Sequence, residues 1–165
     1  MINLTERMIE LLKRQHSHEV HNSLIYKNIS HYLNVLGFTN LSKYYASWSV
    51  EETGHSNIIK DFLEALNIFI DYEVSINTSI LDLGASLTRF AQVTLDTENK
   101  TTEMLEECLR ESYMTGNTSM ATMMLQDMIK EQIEETDKAN TLNDQISNIG
   151  ENRALMQLYD MNFES

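Results

Sequence analysis

A chain of 165 residues with 42 % apolar content suits one folded domain with a sizeable core and excludes a disordered chain. Its formal net charge of −13 argues against nucleic acid or an anionic membrane as partner, since both need a basic face, and fits a protein that attracts cations. Proline is absent and glycine occurs five times, so nearly the whole length is free to be helical.

The first helix is predicted from Thr5 to Val35, with Asn3 and Glu6 spaced as a capping box and Gly37 as a C-cap glycine. Its opening residues are charged and amphipathic and lack the apolar block of a signal peptide. No run approaches the roughly 20 apolar residues of a membrane span, so a soluble, cytoplasmic protein is expected. The second helix follows the cap-forming cluster Thr39-Asn40-Leu41-Ser42 and reaches about Asn67. A connection from Ile68 to about Asp82 then carries two strand-like pieces, Ile68-Phe69-Ile70 and Val74-Ser75-Ile76.

The third helix is expected from about Asp82 to Met114, stopping at Gly116, and its apolar stripe includes the single cysteine, Cys108. Cys108 cannot form an intrachain disulfide, which fits a reducing compartment and a packing role. The fourth helix begins near Asn117-Thr118-Ser119 and ends at Ile149, where Gly150 terminates it. A short amphipathic helix from Asn152 to Asn162, with Leu155, Leu158, Tyr159 and Phe163 as apolar members, closes the chain. Residues 1–165 are expected to form a single domain, with the helical bundle over 5–149 and the terminal helix over 152–162.

Short turns make helices one and two antiparallel neighbours, and helices three and four likewise. The central connection, about 15 residues long, is long for a compact domain unless it crosses the bundle. Extended, it covers roughly 45 Å, about the length of a 30-residue helix. The predicted class is therefore all-α: a four-helix bundle with a long crossover between helices two and three and a short fifth helix, an arrangement found in ferritin-like bundles.

A bundle helix buries a stripe that alternates steps of three and four residues. On helix one the stripe reads Met8, Leu12, Gln15, Glu19, Ser23, Tyr26, Ser30, Leu33. On helix two it reads Tyr45, Trp48, Glu52, His55, Ile59, Phe62, Leu66. Helix three gives Leu87, Ala91, Thr94, Glu98, Thr101, Leu105, Leu109, and helix four gives Leu125, Met128, Gln132, Glu135, Ala139, Leu142, Ile146. Each stripe carries a glutamate near its middle. Burying several carboxylates without counter-charge costs several kcal/mol or more per ion, in order of magnitude, and no Lys or Arg shares the stripes near this layer. A pair of bound iron ions, ligated by glutamate oxygens and one histidine nitrogen, neutralises such a layer. Spacing adds to this: Glu52-x-x-His55 converges on one point beside a helix, and the run 131–135 packs three carboxylates and an amide into little more than one turn.

At these residues the chain resembles the bacterial non-haem ferritins over almost its full length. The matching segments are His18-Glu19-Val20-His21-Asn22-Ser23-Leu24-Ile25-Tyr26, Glu51-Glu52-Thr53-Gly54-His55, Thr94-Leu95-Asp96-Thr97-Glu98-Asn99 and Glu131-Gln132-Ile133-Glu134-Glu135. The resemblance implies that Glu19, Glu52 and His55 bind a first iron, with Glu52 bridging to a second. Glu98 and Glu135 complete the second site, with Gln132 close by. It further implies a third, nearby iron site of Glu51, Glu131, Glu134 and Glu135, and for Tyr26 a hydrogen bond at the centre and a role as electron donor. It also implies a hollow homo-oligomeric cage of the twenty-four-subunit type, in which Fe²⁺ is oxidised by dioxygen or hydrogen peroxide and stored as an oxyhydroxide mineral.

Bacterioferritins and rubrerythrin-like proteins carry a second Glu-x-x-His; here helix four has Glu131-x-x-Glu134. Thr53 stands where bacterioferritins have a haem-ligating methionine, so no haem is expected. The small DNA-protecting cages build their iron site between subunits, and Glu52-x-x-His55 on helix two disfavours that reading. Gly54 departs from helix-forming sequence just before the histidine. Asp127 and other acids of helix four are channel candidates that match no family channel residue. Two rival readings stay open: a di-iron oxidase or peroxidase that stores nothing, and a metal-free helical scaffold.

Overall fold

The computed structural model describes residues 4–72, 79, 82, 84–115 and 119–164. Its elements are α1 (Glu6–Val35), α2 (Thr39–Ala65), α3 (Leu87–Met114), α4 (Ser119–Ile149) and α5 (Arg153–Met161). The described residues contain no strand, and the class is all-α, a four-helix bundle plus a short terminal helix.

Helix ends follow local chemistry, with some departures from the sequence expectation. Thr5 caps α1 by accepting from Met8 N at 3.1 Å. Asn3 of the expected capping box lies outside the described residues, as do Val74-Ser75-Ile76, Gly116 and Asn117-Thr118. Gly37 adopts φ +85°, which only glycine takes at little cost, and lets α2 turn back within three residues. α2 begins at Thr39 itself, not after Ser42, because its cap comes from elsewhere. Phe38 offers no side-chain cap, and Asp160 of α5 accepts from Leu41 N at 2.8 Å. α3 starts at Leu87, later than expected, since Gly84 and Ala85 have positive φ and Ser86 supplies the cap to Arg89 N at 3.1 Å.

α1 packs along α2 and α3 along α4, and α1 also lies against α3, while α2 and α4 approach less closely. The seam between α2 and α4 is therefore the open one. On the crossover, Ile70 is buried and Phe69 exposed, the alternation expected of an extended segment.

Two apolar clusters fill the bundle. One gathers Leu33, Trp48, Phe90, Ala139, Leu142 and Ile146; the other gathers Met8, Leu12, Ile59, Leu63, Leu105 and Leu125. Cys108 packs in the second cluster, as its stripe position predicts. Four stripe members sit slightly off the core: Ser30, Phe62, Leu66 and Leu109 are half-buried, and Leu63 and Cys108 take the inner positions beside the last three. Each fully buried Leu or Ile contributes about 1.5–3 kcal/mol, so the clusters hold the ends of the bundle and leave a polar layer fixed between them.

α5 folds back on its own chain. Asn40 donates to the Asp160 carbonyl at 2.8 Å, Tyr44 meets Phe163 at 5.0 Å, and Met156 is buried in the first cluster. No helix among the described residues is long and apolar enough to cross a membrane.

Candidate metal centre

The layer between the clusters holds Gln15, Glu19 and Tyr26 from α1, Glu52 and His55 from α2, Glu98 from α3, and Gln132 and Glu135 from α4, all buried. Glu19, Glu52 and His55 each present a ligand atom within 4.8 Å of the other two. His55 Nδ1 lies 3.6 Å from Glu52 Oε2, while its Nε2 faces Glu131 Oε2 at 3.2 Å and Glu135 Oε1 at 3.6 Å. The (i, i+3) spacing on α2 delivers this: both side chains leave the helix on one face.

Neutral donors orient the carboxylates. Gln15 Nε2 donates to Glu19 Oε1 at 2.5 Å, Tyr26 Oη donates to Glu98 Oε1, and Gln132 Nε2 donates to Glu98 Oε2 at 2.8 Å. Gln15 sits one turn before Glu19 on the predicted stripe, yet sequence reasoning gave it no role at the site. A polar residue at i−4 from a buried carboxylate is the signal that finds it. Tyr26 is clamped by Trp48 at 5.3 Å and Tyr45 at 6.0 Å.

The electrostatics record what the layer lacks. Burial, then the like charge of Glu52, pushes Glu19 well above the usual carboxylate range. Burial likewise raises Glu52, with Glu98 and Glu135 adding to it. Glu98 is raised by burial against the pull of its Tyr26 and Gln132 hydrogen bonds, and burial lifts Glu135 to about 7 although His55 opposes it. For His55, burial disfavours the charged form, but Glu135, Glu19 and Glu131 outweigh it and raise its pKa. Among the described residues no lysine or arginine pairs with these glutamates. Glu19 Oε2, Glu52 Oε2 and Glu135 Oε2 are buried without a hydrogen-bond partner. Anionic oxygens with one imidazole and unsatisfied lone pairs suit hard or borderline metal cations.

Glu51, Glu131 and Glu134 lie at the rim of the layer: they are exposed on the open α2/α4 seam, and Glu131 reaches in to His55. With Gly54, His55 and Glu135 they line a groove of about 470 Å³. Nothing lies within 4 Å of where a Gly54 Cβ would stand, so the glycine widens the groove and relieves no clash. On the opposite side, His18 is brought down to about 4 by burial, then by His21 and Lys100, and stays neutral near pH 7.

The profile of the ferritin-like domain matches residues 9–149, which spans all four bundle helices. The chain belongs to the ferritin-like domain family. The fold of this ferritin-like chain is similar to that of a PmFTN variant soaked in iron, with TM-score 0.88 and 19 % identity over 97 % of this chain and 100 % of the other. It is likewise similar to an open pore ferritin from the hyperthermophilic archaeon Archaeoglobus fulgidus, with TM-score 0.85 and 21 % identity over 98 % and 96 % of the two chains. No curated protein sequence matches.

Proposed function

We propose that this chain is the subunit of an iron-storage protein with ferroxidase activity, a non-haem ferritin built as one domain over residues 1–165. The observation that supports it best is the polar layer itself: four glutamates and a histidine from four helices, with three buried carboxylate oxygens unpartnered. Iron is here the substrate. Glu19, Glu52 and His55 bind one Fe²⁺, Glu52 bridges, and Glu98 and Glu135 bind the second beside Gln132. Each ion gives up one electron. Dioxygen takes two electrons and two protons to become hydrogen peroxide, or hydrogen peroxide takes two electrons and two protons to become two waters. The anionic oxygens favour the more highly charged Fe³⁺. Where dioxygen is instead reduced fully to two waters by four electrons and four protons, three Fe²⁺ give three electrons and Tyr26, hydrogen-bonded to Glu98, gives the fourth together with its hydroxyl proton.

Glu51, Glu131, Glu134 and Glu135 hold a third iron in the α2/α4 groove, on the way to an interior cavity where Fe³⁺ hydrolyses to mineral. Storage needs a closed shell, so the chain assembles as a cytoplasmic homo-oligomeric cage. The relatives with this fold include a variant soaked in iron and a protein named as a ferritin, which agrees with that reading. Light scattering and electron microscopy before and after aerobic Fe²⁺ addition test it. The expected result is a hollow particle that gains an electron-dense core; a small oligomer holding two irons per chain would make the protein a non-storing oxidase.

A further inference from the structure

The α1/α3 seam, on the far side of the bundle from the open α2/α4 seam, carries polar groups that iron oxidation leaves unused. A groove of about 350 Å³ there is lined by His18, His21, Asn22, Asp96, Thr97 and Lys100, with Val93 as its one aliphatic member. Asn22, fully buried, donates through Nδ2 to Thr101 Oγ1 at 3.2 Å, while its Oδ1 has no partner. His18 Nε2 lies 2.9 Å from the same hydroxyl, which donates its hydrogen to the Thr97 carbonyl at 3.0 Å. A hydroxyl has one hydrogen, so His18 Nε2 carries the proton in this contact and Nδ1 keeps its lone pair. His21 adds a second imidazole, whose Nδ1 is buried and unpartnered.

These groups stand against the carboxylate layer. Asn22 follows Glu19 by three positions on α1 and Thr101 follows Glu98 by three on α3, and neither has any exposed surface. The inner wall of the groove is thus also the wall of the site. What sets the groove apart is its buried unpartnered atoms, Asn22 Oδ1 and His21 Nδ1, since bare buried acceptors cost free energy until a donor or cation satisfies them. Imidazole nitrogen with carbonyl and carboxylate oxygen suits a borderline divalent cation. So few donors hold an ion loosely and let it keep water, as passage requires.

We propose that this groove is an Fe²⁺ entry site in each subunit, where His18, His21 and Asp96 receive the ion and Asn22, buried behind them, takes it on across the α1/α3 seam to Glu19 and Glu98. The entry role rests on the di-iron reading of the layer; the cation site itself does not. Crystals of the intact assembly soaked in Co²⁺ for increasing times, and read by anomalous scattering, test both. In the unaltered protein Co²⁺ should occupy the groove first and the layer later. The single variants His18→Gln and His21→Gln, each checked for an unchanged melting temperature, should lose groove density and fill the layer at least about tenfold more slowly. Glu52→Ala should empty the layer and keep the groove occupied. A layer that fills with the groove never occupied, at the same rate in both histidine variants, would overturn the entry site and leave the di-iron reading standing. A groove that fills beside a permanently empty layer would sink the di-iron reading and the entry role while the cation site remains.

Discussion

Glu98 takes both of its oriented hydrogen bonds from neutral donors, Tyr26 and Gln132, which fix the carboxylate without cancelling its charge. Tyr26→Phe keeps the ring packing against Trp48 and removes the donor. It should slow iron oxidation several-fold in stopped-flow absorbance with little change in melting temperature. Glu135 makes the layer pH-dependent. Its folded-state pKa of about 7 lies above the ordinary value of 4.5, so it contributes stability at low pH that is lost as pH rises through about 7. A metal ion must displace that proton, so Co²⁺ affinity measured by calorimetry should climb between pH 5.5 and 7.5. Glu135→Gln should flatten the climb; an equally steep rise in the variant would assign the linkage to other groups.

Among the elements, α5 shows a helix end capped in trans. Asp160 replaces the missing cap of α2, so Asp160→Ala should cost about 1–2 kcal/mol in chemical unfolding and should speed amide exchange over both α5 and the first turn of α2. In contrast, Gly54 is helical with open space around it, and Gly54→Ala should stabilise the protein by about 1 kcal/mol. The four stripes were legible in the sequence because buried periodicity is enforced along each helix, and every glutamate predicted inward is buried. The α2 start and the place of α5 were not, because both depend on an Asp160 contact with a residue more than a hundred positions away. Local cap signals carry no record of such a partner. The α3 start lies later than about Asp82 for a local reason, since Gly84 and Ala85 have positive φ and Ser86 caps Arg89 N.

At the scale of the whole molecule, two apolar clusters flank the layer and hold the bundle together, so a variant that lacks a single carboxylate should remain folded. The groups of the α1/α3 groove, by comparison, were visible in the sequence only as part of a matching segment. Their shared Thr101 contact exists only once α1 and α3 are packed. Charge on the layer couples metal to stability: adding Co²⁺ to metal-free protein near pH 7.5 should raise the melting temperature, and a chelator should reverse it. In the proposed function dioxygen or peroxide oxidises Fe²⁺ held by the buried glutamate layer. Stopped-flow absorbance after mixing air-saturated buffer with two Fe²⁺ per chain tests it most directly, comparing the unaltered protein with Glu52→Ala. Oxidation should be rapid in the first and collapse toward the uncatalysed rate in the variant, which remains folded; equal rates in both would rule out oxidation at this layer.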